Sequence, residues 1–138
     1  MPEQTDPALD LPWPHGQSLL QDIAGAVTPA GSLTLWHIGQ SGFVVRGGEC
    51  TLVFDPYLHR SERRTFPPPF NGEELHDVDF VFCSHDHGDH LDPVAVKGLR
   101  SGSPEARFVV SRAAQEKMQS LGVSGERLVI APRSEERV

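Results

Sequence analysis

The stretch DVDFVFCSHDHGDHLD, Asp77 to Asp92, changes character at its middle. Asp79 to Ser84 (DFVFCS) is a nearly continuous apolar run, the pattern of a buried strand. From Cys83 to Pro93 the chain then packs three histidines and three aspartates into eleven residues. Asp92 and Pro93 supply an N-cap and a first-turn proline for a helix over Val94 to Leu99. The reading is a strand, a polar loop at its carboxyl end, and a helix, which is where α/β folds commonly place their chemistry.

The loop residues suit metal binding. His85 and His87 are two apart, a spacing that would point them to opposite sides of a helix. On a tight turn, with Gly88 giving the backbone room, they can converge on one point. Imidazole nitrogen and carboxylate oxygen both bind Zn²⁺ and other first-row metals. A catalytic ion takes about three protein ligands and leaves a position for water. Four candidate donors, His85, His87, Asp89 and His90, exceed the need of one ion and fit two that share a bridging water. The competing reading, an exposed polar turn with incidental histidines, suits a lone histidine better than H-x-H-x-D-H set directly after a buried strand.

Working outward, Gln17 to Val27 places Leu19, Leu20, Ile23, Ala24 and Val27 at near-helical spacing, and Pro29 and Gly31 end the pattern. Three strands follow: Ser32 to Ile38, Phe43 to Arg46 and Cys50 to Phe54. Gly39, Gly42, Gly47 and Gly48 between them predict tight turns and antiparallel hairpins. Asp55 to Asp77 is a long loop with no sustained period, and such loops tend to line functional sites. Within it, Arg60 to Arg64 (RSERR) is either a solvated segment or a contact to an anionic substrate. Phe66 to Phe70 (FPPPF) suits a rim over a cleft, or a polyproline ligand.

Beyond the cluster, Arg107 to Val110 is a strand. Ser111 caps a helix over Arg112 to Leu121 that Gly122 stops, and Arg127 to Ile130 is a further strand. Hairpins passing into β-α-β units define an α/β, α+β layered domain with helices on at least one sheet face. Residues 1–16, rich in Pro and polar side chains, read as a flexible lead-in to a domain over 17–138.

The 138 residues, 38% hydrophobic and 22% charged, have the composition of one soluble globular domain. A net charge of −7 and a pI near 5.4 speak against nucleic acid and acidic membrane surfaces as partners. The N-terminus lacks a basic start followed by an apolar run, and no window approaches the roughly 18 apolar residues of a membrane span, so a cytoplasmic location is expected. Cys50 and Cys83 lie in apolar runs and are expected as reduced thiols.

HDHGDH (His85 to His90) and Asp55-Pro56 after an apolar strand, in the order hairpins, loop, strand, H-x-H-x-D-H, helix, resemble the metallo-β-lactamase superfamily. WHIGQSGF (Trp36 to Phe43), LVFDPYL (Leu52 to Leu58) and FPPPF are similar to its branch that includes the ascorbate-6-phosphate lactonases. The resemblance runs from about Gln17 to the end. It implies His85 and His87 on a first metal, Asp89 and His90 on a second, and Asp55 holding the ligand loop from behind by hydrogen bonds. It implies hydrolysis of a lactone, ester, amide or phosphodiester, with Asp89 taking part in catalysis and two divalent ions as cofactors, zinc favoured over manganese or iron.

The family's complete site draws a further histidine, a bridging aspartate and another histidine from segments after this motif. Residues 91–138 contain no histidine, and their only aspartate is Asp92. His15 falls in the lead-in and His37 in a strand, while His59 and His76 in the long loop are at most substrate contacts. The chain therefore reads as the N-terminal half of an αββα sandwich, cut short at its C-terminus. Two functions remain open: a metal-dependent hydrolase acting on a small, possibly anionic substrate, or an inactive protein that binds metal or forms a homo-oligomer through an open sheet.

Overall fold

Six strands form one sheet in the order β1-β2-β3-β4-β5-β6, so neighbours in sequence are neighbours in space. The computed structural model describes residues 12–132. Strands β1 (Thr34–Gly39), β2 (Gly42–Gly47) and β3 (Cys50–Phe54) form an antiparallel meander, with Trp36 opposite Val44 and Val44 opposite Val53. Strands β4 (Phe80–Phe82), β5 (Arg107–Val110) and β6 (Leu128–Ile130) then add in parallel. The expected hairpins and β-α-β units are both present.

The helices lie on one face of the sheet. Val44, Val53, Val81 and Phe108, in register across four strands, are wholly buried and share one core with Leu19, Leu20 and Ile23 of α1 (Gly16–Gly25), Ala95, Val96 and Leu99 of α2 (Pro93–Gly102), and Met118 of α3 (Gln115–Ser120). The alternate strand positions point the other way, as the period of two requires. There Leu35 is 57% exposed and Phe43 36%, while Phe54 and Phe82 stack at 4.9 Å. This second face carries no helix among the described residues.

Several local expectations shift. Strand β1 starts at Thr34 rather than Ser32, β4 keeps only Phe80–Phe82 of the run from Asp79 to Ser84, and β6 starts at Leu128 because Arg127 belongs to a 3₁₀ turn. Helix α1 ends at Gly25 rather than Val27, because Ala26 turns to extended backbone, and Val27 projects into solvent at 91% exposure. Ser111 makes no side-chain capping bond: the segment opens as a 3₁₀ turn over Arg112–Ala114 and becomes α-helical only at Gln115. Gly122, at φ +86°, does end it. Helix α2 runs past its predicted end at Leu99 to Gly102, since Gly98 and Gly102 let it lie directly against the 3₁₀ turn Gly72–Glu74.

The long loop is largely built into the fold. Pro68 and Phe70 are buried, which makes FPPPF part of the protein's own packing. Of the expected lead-in, residues 1–11 lie outside the described residues. The remainder docks on that proline segment: Trp13 meets the Phe66 ring edge-on at 5.8 Å, and Gly16 N donates to Pro69 O. Cys50 and Cys83 are free thiols, and burial pushes Cys83 up to about 12.

Candidate metal centre

Strand β4 ends at Phe82, and the next eight residues form the donor loop. Its backbone is closed by Leu91 N and His90 N donating to His87 O, and by Lys117 Nζ of α3 donating to Asp86 O at 2.6 Å. The turn brings three imidazoles together: the ring of His85 lies 4.6 Å from that of His87 and 4.0 Å from that of His90. Asp89 Oδ2 stands 3.6 Å from His90 Nε2. The four predicted donors thus occupy one patch at the carboxyl end of β4.

Asp55, the first residue after β3, sits behind that patch. It adopts φ +42°, an uncommon backbone for a non-glycine residue and one that recurs at functional sites. Its Oδ1 accepts from Ser84 N, and its Oδ2 accepts from Ser84 Oγ and from His90 Nδ1 at 2.9 Å. Burial works against its charge, but these bonds from His90 and Ser84 outweigh it and hold the carboxyl below its ordinary range.

These contacts fix two tautomers. The Asp55 carboxylate only accepts, so His90 donates from Nδ1, and the neutral ring has its lone pair on Nε2. Ser84 has one hydroxyl hydrogen and gives it to Asp55, so His85 Nδ1, 2.9 Å from Ser84 Oγ, must donate to that oxygen. His85 Nε2 is then also an open base. One aspartate therefore leaves two imidazoles with the free nitrogen that a metal needs.

Asp89 is held from a different side. Gln40 Nε2 donates to its Oδ2 at 3.3 Å, and this bond is the chief reason its carboxyl stays below the ordinary range. Gln40 occupies the β1–β2 turn at φ +53°. Its carbonyl faces His37 Nε2 at 2.9 Å, which places His37 beside the turn and outside the donor set.

The donor chemistry fits a divalent cation: two imidazoles with Nε2 open, the exposed His87, and a carboxylate held in its charged form. Among the described residues, however, no three donors already stand in the arrangement that closes on an ion. The tautomers and the loop are preset, and convergence of the last atoms is not.

Asp92 is not a fifth donor. It is 2% exposed, and its carboxylate accepts from Val94 N and Ala95 N as the predicted cap of α2, and also from Leu58 N and His59 N. His59 is exposed at the loop rim, next to Tyr57. His76 contacts Gly102 O, at the end of α2 opposite to the donor loop. Of the two long-loop histidines, only His59 lies on the site's side. Gln40, Ser84 and Lys117 had no predicted role, and only the position of Ser84 beside His85 could have suggested one.

Residues 51–135, more than half of the chain, match the family model of the β-lactamase superfamily domain. The chain belongs to this superfamily. Its metallo-β-lactamase motif and its layered fold agree with that membership. Over 64 residues it is 38% identical to an N-acyl-phosphatidylethanolamine-hydrolyzing phospholipase D 1 of Caenorhabditis elegans, a match covering 46% of this chain and 18% of that protein. It is 28% identical to a cytidine monophosphate-N-acetylneuraminic acid hydroxylase of Danio rerio, over 91% of this chain and 22% of that protein. A UPF0173 metal-dependent hydrolase of Opitutus terrae is 34% identical over 43% of this chain and 24% of its own length. The chain thus spans about a fifth of the length of these relatives, and as a superfamily domain it corresponds to one part of each. No helix among the described residues is long and apolar enough to cross a membrane.

Proposed function

We propose that this superfamily domain contributes the first half of a metal-dependent hydrolytic centre. His85 and His87 would hold one divalent ion, Asp89 and His90 a second, with Asp55 orienting the loop. The observation that carries this reading is the Asp55–Ser84–His85/His90 network, which leaves Nε2 open on two neighbouring imidazoles. A polar surface turn has no need of such tautomer control. Two of the relatives, a hydrolyzing phospholipase D and a metal-dependent hydrolase, support hydrolysis, while a third is a hydroxylase.

Bound divalent ions would supply a water acidic enough to act as nucleophile near neutral pH and charge to stabilise an oxyanion. The chain's own part is positional. Asp55 keeps Nδ1 of His90 protonated, Ser84 passes the same constraint to His85, Gln40 holds Asp89 ionised, and Lys117 restrains the loop from α3. Zinc, manganese and iron all suit imidazole and carboxylate donors. A lactone, ester, amide or phosphodiester is the substrate class, the lactone following from the WHIGQSGF and LVFDPYL segments.

A second reading has its own observation. The Asp92 carboxylate is occupied by four backbone N–H groups and cannot serve as the bridging aspartate that the family's full site uses. On that reading this chain by itself binds metal without turnover. Zinc, manganese and iron titrations with an ester, a lactone and a phosphodiester reporter separate the two. Two ions per chain with turnover support the hydrolase; binding without turnover supports the second reading; no binding by wild type, or binding unaltered in H85A/H90A, sinks both.

A further inference from the structure

We propose that Arg63 and Arg64 form a subsite for an oxyanion, a phosphate or carboxylate group, beside Asp89. Calling that anion part of a substrate rests on the hydrolase reading; the subsite itself does not.

A hollow of about 230 Å³ lies between the long loop and the donor patch, lined by Gln40, Tyr57, Arg63, Arg64, Phe66 and Asp89. It is smaller than a whole-ligand pocket and of a size for one charged group and a few attached atoms. Among the described residues lining it, two arginines face a single carboxylate, in a chain whose net charge is −7. That carboxylate is engaged by Gln40 and forms no ion pair with either arginine among the described residues. The Asp92 carboxylate also bears on the Arg64 charge, so the open positive charge of the hollow is that of Arg63, whose guanidinium no carboxylate pairs among the described residues.

The two arginines differ in how they are held. Arg64 is pinned: Nε donates to Phe66 O at 3.0 Å, Nη1 donates to Tyr57 O at 2.8 Å and His59 O at 3.4 Å, and the guanidinium covers the Tyr57 ring at 4.9 Å. Its geometry is set before any ligand arrives, which removes most of the ordering penalty of a long side chain. Arg63 is exposed. Its backbone N–H bonds Ser61 Oγ, and its guanidinium has no hydrogen bond or ion pair among the described residues. An exposed fork of donors walled into a hollow with a fixed cation suits bidentate recognition of an oxyanion. A merely solvated RSERR segment would not put Arg63 in the same hollow as Gln40 and Asp89.

The test is a titration of the full chain with phenyl phosphate, with benzoate and phenol as parallel arms, each run with and without zinc. The expected result is saturable binding of phenyl phosphate that falls roughly tenfold in R63A, the size of one charge-assisted hydrogen bond. R107A, which removes the same charge at the exposed start of β5, the strand end opposite to the donor loop, should leave it unchanged. Binding of benzoate at similar affinity assigns the site to oxyanions in general; its absence assigns it to phosphate. No saturable binding in either metal state, an equal loss in R63A and R107A, or equally tight phenol binding overturns the subsite. Zinc stoichiometry measured on the same samples reports on the metal reading separately, so loss of one conclusion is distinguishable from loss of the other.

Discussion

The Asp55 carboxylate accepts the Nδ1 proton of His90 at 2.9 Å, joining the residue after β3 to the last donor of the loop across 35 positions of sequence. Through Ser84 the same carboxylate reaches His85. Removing it frees two imidazoles to rotate and to present the wrong nitrogen. Asp55→Ala should weaken zinc affinity by roughly ten- to a hundredfold, the usual effect of losing an outer partner of a metal-binding histidine. Competition against a fluorescent chelator measures this. An affinity equal to that of wild type would show that Asp55 has no part in orienting the donors.

The same residue sets an acid limb of stability. Its folded carboxyl titrates below the ordinary value, so its contribution is fully present above the unfolded pKa and is lost as pH falls through the folded one. Urea midpoints recorded on metal-free protein between pH 7 and pH 3 should fall more steeply for wild type than for Asp55→Asn. Parallel curves for the two proteins would exclude Asp55 as a source of the acid slope.

Asp92 joins two elements with one side chain, capping α2 and clasping Leu58 N and His59 N. Asp92→Ala removes the cap, worth about 1 kcal/mol, and strands buried donors at about 1–3 kcal/mol, so a loss near 3 kcal/mol is expected. Serine can cap but is too short to reach the loop as well. Asp92→Ser should therefore recover about 1 kcal/mol and no more. Full recovery by serine in denaturant unfolding would show that the clasp contributes nothing.

At Gly98 helix propensity and packing predict opposite signs. Alanine would favour α2 by about 1 kcal/mol if the position were open. A Cβ there would lie 2.9 Å from Gly72 Cα and 3.1 Å from Glu73 N, both backbone atoms that cannot swing aside. Overpacking of this kind costs about 1–3 kcal/mol, so Gly98→Ala should be destabilising on balance. A raised melting temperature in this variant would mean that the Gly72–Glu74 turn yields freely.

The local features were readable for a local reason. β3 and β5 keep their predicted bounds because apolar runs between turn residues act within a few positions, and the Asp92 cap sits three residues from the last amide it binds. The failures are at ends. Val27 fits the apolar stripe of α1 yet is exposed, because the helix ends at Gly25, before reaching it. Ser111 has a capping residue's chemistry but opens a 3₁₀ turn instead. A periodic pattern specifies a face, and the geometry of the neighbouring turn specifies where it ends.

The candidate site divides in the same way. By itself the sequence singled out the candidate donors, since His85, His87, Asp89 and His90 lie within six residues and their chemistry belongs to their side chains. It also determined the strand that precedes them and the helix that follows. Only the tertiary structure decided which nitrogen His85 and His90 present, that Gln40 reaches Asp89, that Asp92 is occupied by the long loop, and that Arg63 and Arg64 share a hollow with Asp89. These relations join residues 25 to 49 positions apart. A hydrogen bond has direction and a reach of about 3 Å, and no spacing in the chain encodes a distance that only the folded sheet creates.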